Sequence, residues 1–582
     1  MTNEQIYEPL KLYREKFKEA FAQTAADSFD DMVKQAGIDI EANKETCRKI
    51  DSLAKMISYK EGSIARYKAL RVLLIIVALA CVCSPFTYEY VWNNFFYNNP
   101  DYGIYAPFVY AALVACGIVT AVLVFTKFKA KINSLKGELA DLVSARNKKI
   151  TEANAQMDPL NTMFSWDMPT KLIEKTVPLI HFDPYFNKAR LDQLHKEFDF
   201  TDSLNTDASV LFAHSGEING NPFVLATIRK FRMGTKEYFG YKTITWTERV
   251  RDSDGNWETV TRSETLQASV VKPYPTFNDR TFLLYAHDAA PNLIFSRSPE
   301  GLEEDSWTTE IKRKRKLKNL EKYSRTLDDD SDYTLMSNSD FEVLFSTKDR
   351  NDEVEYRLLF TPVAQQAITA LIKDREDSYG DEFSIYKKHK INVVTTQHLS
   401  SLNIDTNPRR FMSYRFEEIK DNFVRINGEY FKTIYFAFAP LLSIPLYQQK
   451  HLDKLKYGKK EKKESSFWEW EAIANYHGES NYAHRDSVTQ NILKTQWVAD
   501  TENGEHIIDV TAHGFSGTNC VDSEEVFGGD GRYHTVYIDW VRYDPVSHTS
   551  KLKVTEMPDT DKDIIRSEDY PRWSFRRRIL FE

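Results

Sequence analysis

The alternation of apolar and polar positions changes character twice along the chain. Two runs, residues 72–88 and 104–126, contain no charged side chain and are separated by the polar, aromatic stretch WNNFFYNNPDYG. Each run approaches the roughly 20 residues needed to cross a hydrocarbon core. The pattern therefore predicts transmembrane helices over 71–92 and 104–126, joined by a short outer loop at 93–103. Lys60, Arg66, Lys68 and Arg71 precede the first run, Lys127, Lys129 and Lys131 follow the second, and only Glu89 and Asp101 lie between. Positive flanks stay inside, so both termini are expected to face the cytoplasm, with Trp92, Tyr102 and Tyr105 at the interface.

Helical periodicity surrounds these runs. Residues 3–36 carry Ile6, Leu10, Tyr13, Phe17, Phe21, Phe29, Met32 and Val33 on one face and end at Gly37. Ile50, Leu53, Ile57, Ile64 and Tyr67 lead into the first run, and Ile132, Leu135, Leu139 and Leu142 lead away from the second. Residues 1–70 thus hold a cytoplasmic amphipathic helix and, from Ile38, a stalk helix, and the two seams predict that the stalk helix pairs antiparallel with residues 127–160 over about 40 Å. The alternative is that each seam packs on another subunit.

From residue 161 strand patterns dominate. SVLFAHSGEINGNPFVLATIRKF holds two runs around an NGN turn, and KTITWTERVRDSDGNWETVTRSETLQASVV alternates about Asp254-Gly255. FEVLFSTKD and EYRLLFTP also read as strands, followed by a helix and the paired strands EFSIYKKH and KINVVTTQ. IKDNFVRINGEYFKTIYFAFAPLLSIPL mixes helix and strand signals. The pattern suggests an α+β cytoplasmic domain over 161–447, a lysine-rich linker over 448–466, and a β-rich module over 467–582 with turns at Asn503-Gly504 and at DPVS. The expected fold class is an α+β membrane protein: a helical stalk and a two-helix transmembrane hairpin, followed by β-rich cytoplasmic domains.

Composition narrows the function. With 582 residues and a net charge of -8, the chain lacks the basic excess of a nucleic-acid binder, and no nucleic-acid partner is expected. The mean hydropathy of -0.50 suits a largely soluble protein with a small membrane part. Five cysteines without a CxxC pair fit a reducing compartment and exclude a zinc ribbon. No cleavable leader is expected, because the first apolar run starts some seventy residues in.

One segment resembles a known family. In residues 340–394, SDFEVLFSTKDRNDEVEYRLLFTP, a helix and EFSIYKKHKINVV follow one another. This order resembles a bacterial two-span membrane-protein family defined by a domain of unknown function, through Phe341, Glu342, Ser346, Asp349, Glu355, Arg357, Thr361 and Pro362. Phe360 departs from the Leu expected before the Thr-Pro step. The resemblance implies a place in the bacterial inner membrane and, as partners, helical membrane-anchored proteins of the LemA type. It implies no activity.

The residues themselves suggest mostly structural roles for this motif. Thr361 and Pro362 fit a helix cap and first turn, while Glu355 and Arg357, two apart on an expected strand, share a face available for pairing or for binding.

Candidate chemistry is sparse. The chain has no Walker A loop, no GxGxxG opening a helix, no HExxH and no GxSxG. Gly528-Gly529-Asp530-Gly531 reads as a loop. His484-Arg485-Asp486 with Asn491 copies a kinase-loop spacing without its companions. Asp509 and His513 share a strand face, and His534 and Asp539 lie on the next strand, so the four are weak candidates for a His/Asp metal or acid-base site, set against the plainer reading of ordinary surface histidines. Lys312, Arg313, Lys314, Arg315, Lys316 and Lys318 form the densest positive run, suited to anionic lipid or to a solvated helix face. The lysines at 454–463, followed by Phe467, Trp468 and Trp470, raise the same choice.

Small residues four apart in the second span, Ala111 and Ala115, Ala112 and Cys116, Gly117 and Ala121, allow close helix contact, either with the first span or between copies in a homo-oligomer. No cofactor or metal is expected. The leading expectation is a membrane-anchored scaffold or sensor that binds proteins; the alternatives are a tethered enzyme using the His/Asp set and a channel or transporter subunit.

Overall fold

A computed structural model describes residues 6–87, 106–251, 253, 256–326, 333–401, 404, 406–450, 464–501, 505–556 and 579–581. The expected outer loop with Glu89, Trp92, Asp101, Tyr102 and Tyr105, the lysines at 454–463, and the turns at Asp254-Gly255 and Asn503-Gly504 lie outside the described residues. The contacts gather the chain into two units. One comprises Met1–Asp30, Phe164–Arg410 and Phe423–Glu582; the other comprises Asp31–Met163 and Phe411–Asn422.

The second unit is helical. Gly37, at φ +60°, ends helix α1 (Lys18–Ala36) where the sequence predicts. Asp39 then caps α2 (Ile40–Cys83), accepting from the Ala42 amide at 2.9 Å. Against α2 run α3 (Ala106–Leu123) and α4 (Lys129–Asn161), linked by a π-helical turn at Val124–Phe128. The direction is antiparallel: Asn43 Nδ2 donates to Gln156 Oε1 at 3.3 Å, Lys60 pairs with Glu138 at 2.5 Å, and the Tyr67 and Phe128 rings meet at 6.2 Å. Ile50, Ile57 and Ile64 are buried along one helix, and Ile132 and Leu135 along the other, so the seams close on each other within one chain.

The first unit holds two antiparallel sheets. Among the described residues, one sheet contains β1 (Ile180–Phe182), β2 (Ala208–Ile218), β3 (Asn221–Arg251), β4 (Trp257–Ala286), β5 (Ile294–Arg297), β6 (Phe383–Lys388) and β7 (Ile391–Thr396), in the order β1-β2-β3-β4-β7-β6-β5. Asn219 and Gly220, both at positive φ, make the two-residue turn between β2 and β3. The other sheet contains β8 (Ile492–Asp500), β9 (Glu505–Phe527), β10 (Tyr533–Glu556) and β11 (Ile579–Phe581), in the order β11-β10-β9-β8.

The hairpins β3–β4 and β9–β10 extend as long arms that pack through Ile244, Leu266 and Val536. Gly240 permits this approach, because a Cβ there would collide with the Tyr537 carbonyl.

Several helices differ from the sequence reading. α5 (Trp307–Arg325) carries the basic run. FEVLFSTKD and EYRLLFTP, expected as strands, instead contain α6 (Ser339–Phe345) and α7 (Glu353–Leu359). Asn338 caps the first, accepting from Phe341 N at 3.2 Å, and Asp352 caps the second, accepting from Glu355 N at 2.8 Å. Phe341, Leu344 and Phe345, then Tyr356, Leu359 and Phe360, are buried at helical spacing. Apolar runs this short do not distinguish helix from strand, and the caps decide.

α8 (Pro362–Lys373) begins with Thr361 as its N-cap and Pro362 in its first turn, as expected. The mixed segment is a helix, α9 (Phe416–Leu442), whose Phe431 stacks on Phe21 at 4.2 Å. α10 (Phe467–Gly478) follows the lysine-rich stretch and packs on β2, with Glu471 accepting from Val210 N at 3.0 Å and Asn475 donating to Ser209 Oγ at 2.6 Å. The expected boundary at 448–466 thus precedes a helix built into the first sheet's surface. The DPVS turn is absent too: Asp544 to Ser547 continue β10, paired with Ser516 to His513, and the hairpin turns at Gly528–Gly531 instead.

Candidate functional site

Within the helical unit, α3, the π-helical turn and α4 run on as one helix over Pro107–Asn161, and its apolar first part is mostly exposed. By length and composition it is able to cross a membrane. Val72, Leu73, Ile76 and Leu79 on the facing helix, and Ile118 and Val122 on this one, are also exposed. Gly117 is buried against α2, and a Cβ there would stand 2.9 Å from Val82 and 3.0 Å from the Ala78 carbonyl. Ala111, Ala112, Ala115 and Cys116 remain exposed. Gly117 thus sits inward against α2, while large apolar residues of both helices face outward.

The basic run divides in two. Arg313 donates to the Leu302 carbonyl at 2.6 Å, and Lys316 pairs with Glu300 at 2.8 Å and donates to Val343 O at 2.9 Å. Lys314 pairs with Glu310 one turn back. Lys312, Lys314, Arg315 and Lys318 are exposed.

The family-like motif forms a closed network. Glu342 accepts from Met336 N at 3.0 Å and from Arg350 Nη2 at 2.9 Å, and Arg350 Nε donates to Glu353 at 2.7 Å. The Arg350 guanidinium lies 4.2 Å from both the Tyr333 and Tyr356 ring centroids. Burial opposes its charge, but Tyr356, Glu342 and Glu353 outweigh burial and hold its pKa above the ordinary arginine value.

Asp349 accepts from Ser296 N at 2.9 Å, and Ser346 ends α6 at positive φ. Phe360, the departure from the family pattern, packs on the Tyr356 ring at 4.6 Å. Glu355 and Arg357 do not pair with each other, because two residues on a helix diverge by about 200°. Glu355 accepts from Asn292 N and Nδ2 at 2.8 Å each, and Arg357 pairs with Glu353 at 2.8 Å.

The His/Asp set does not converge. Asp539 pairs with Val521, eight residues along β9 from His513, a separation of roughly 26 Å; Asp509 is four residues away, roughly 13 Å. His534 is further still, opposite Val526, and binds Asp530 at 2.9 Å. Among the described residues no three His, Cys, Asp or Glu side chains are grouped to hold a metal ion.

His513 borders a cavity. This cavity, of about 370 Å³, opens where the two arms root, between Phe231 and Phe277 of the first sheet and Ile492, Lys494, His513 and Phe515 of the second. The rings of Phe231 and Phe277 lie 5.7 Å apart, and those of Phe231 and Phe515 lie 5.1 Å apart. Lys494 Nζ donates to Asn205 O at 2.5 Å, to Asn205 Oδ1 at 3.0 Å and to Glu471 Oε1 at 3.2 Å. Glu471 is 1% exposed, and burial pushes its carboxyl up to about 7 against the opposing pull of Lys494, Asn205 and the Val210 amide. Burial, with Lys494 adding to it, holds the His513 imidazole below its ordinary value.

No family model, curated protein or solved structure matches this chain. The cavity's chemistry therefore rests on its own geometry. Sequence reasoning reached His513 by strand parity but missed Glu471 and Lys494. The available signal was an acid in the middle of the aromatic helix FWEWEAIANY, where a buried carboxylate demands a partner.

Proposed function

We propose that the chain is a membrane-anchored scaffold or sensor, held by two transmembrane helices with both termini in the cytoplasm, whose large α+β unit binds other proteins. The observation that carries this reading is the exposed apolar surface shared by the end of α2 and by α3, which water does not favour and a bilayer does. Basic residues at the inner flanks of both runs support the orientation. The exposed lysines and arginine of α5 suit anionic lipid at the same leaflet. The resemblance to the two-span bacterial family supports an inner-membrane location and LemA-type helical partners. The exposed Ala111, Ala112, Ala115 and Cys116 face offers a contact between copies in a homo-oligomer.

Three measurements test the reading. The full chain is expected to stay in the membrane fraction after an alkaline carbonate wash, and Asn98→Cys is expected to react with an impermeant maleimide in intact cells. Extraction by the wash, or labelling only after lysis, refutes the anchor or its orientation respectively. Affinity capture from native membranes under mild detergent should retain helical membrane proteins and a second, differently tagged copy of the chain.

A further inference from the structure

The cavity at the root of the arms has the composition of a ligand site: an apolar, aromatic wall and a few polar groups gathered at one side. His513 lies directly opposite Ile492 on the neighbouring strand and Ser547 on the other, so the three form one row across the sheet. Lys494, two residues along β8, stands diagonally beside His513 on the same face. Asp207, the acid on the lining, is exposed to solvent. The Lys494 side chain borders a groove that Phe231, Phe277 and Phe515 help to wall, and its partner Glu471 is carried by α10.

We propose that this cavity binds a small aromatic monocarboxylate, with its ring on Phe231, Phe277 and Phe515 and its carboxylate on Lys494 in place of Glu471. The exchange leaves the number of ion pairs unchanged while burying the ligand's ring, and His513 and Ser547 supply further hydrogen-bond donors beside the carboxylate. The displaced Glu471 is buried, so it takes up a proton from solvent as the ligand enters, and its elevated pKa makes that uptake inexpensive near neutrality.

The groups around Glu471 are few. Lys494 faces it from β8; Asn205 and the Val210 amide, both uncharged, face it from the β2 side; and in the turn after α10 Glu479 is engaged by Arg229 at 2.8 Å. Burial, with Lys494 adding to it, holds His513 below its ordinary value. Ligand binding is therefore coupled to the protonation of one carboxyl. This inference is independent of the membrane anchor, because every residue of the cavity belongs to the α+β unit.

The test uses the full chain in nanodiscs and three probes: 2-naphthoate, the uncharged 2-naphthamide and the cationic 2-naphthylmethylamine. Naphthoate should saturate at one site per chain and bind at least ~10-fold more tightly than the amide, which corresponds to about 1.4 kcal/mol. Its affinity should fall roughly tenfold between pH 6 and pH 8, with protons taken up on binding, as expected for a carboxyl that titrates near 7. Glu471→Gln should flatten this pH dependence without loss of naphthoate binding, and Lys494→Met should abolish the preference for the acid. Equal binding of acid and amide by the unmutated chain, preference for the amine, or absence of saturable binding overturns the proposal without recourse to any variant. A pH dependence that survives in Glu471→Gln overturns the coupling.

Discussion

Two charged clusters in the α+β unit use the same ingredients to opposite ends. Around Arg350, the guanidinium is sandwiched between two tyrosine rings and bound by two glutamates, with its side chain and that of Glu342 essentially inaccessible. Around Lys494, one cation meets one buried glutamate, but the lysine side chain is 31% exposed and borders a cavity. The first cluster is closed, so its charges hold helices α6 and α7 to each other and to the segment before them. The second is open, so its ion pair is available for exchange. Planar Arg with five donors suits closure, and a flexible Lys suits a site that admits a ligand.

Substitutions should separate the two clusters by the size and kind of their effect. Arg350→Met leaves two buried glutamates without their cation, and a loss of about 3–5 kcal/mol in the urea unfolding of the α+β unit is expected; a loss below ~1 kcal/mol would show that the cluster is not closed.

Glu471→Gln should act through pH. A carboxyl whose folded pKa rises from the ordinary 4.5 to about 7 binds its proton more tightly in the folded state, so its contribution is fully present below 4.5 and is lost as pH rises toward 7. The unmutated chain should lose on the order of 3 kcal/mol relative to Glu471→Gln across that window. Parallel stability curves for the two proteins would contradict this.

At the edge of the closed cluster, Glu355→Ala removes two hydrogen bonds to Asn292 and should cost about 1 kcal/mol. Arg357→Ala loses a pair whose arginine is 45% exposed, and about 0.5 kcal/mol is expected. If Arg357→Ala proved the more damaging of these two, the motif would be doing something beyond holding the fold.

Much of the helical architecture was legible because it rests on long, unambiguous periods. The seam of Ile50, Ile57 and Ile64 and the stop at Gly37 are visible in the residues and present in the structure. The NGN turn was equally plain, since the Asn-Gly pair accepts positive φ. Short runs were another matter. FEVLF and EYRLL carry the apolar content of strands but bear Asn338 and Asp352 at their starts, and those caps tip them to helix. DPVS resembles a turn by composition, yet Pro545 sits within β10, whose outer edge there is unpaired among the described residues.

Residue patterns alone determined where apolar surface must lie: two charge-free runs, a helical seam on either side, and alternating strands beyond them. Only the tertiary structure decided which polar groups meet. Glu471 reaches Lys494 across 23 residues and Asn205 across 266, while His513 and Asp509, four apart on one strand, remain separated. Hydrophobic period is a local property of the chain, set by 3.6 or 2 residues per repeat, whereas a site is assembled by register between distant strands. His513 was visible from the first kind of information, and its partner only from the second.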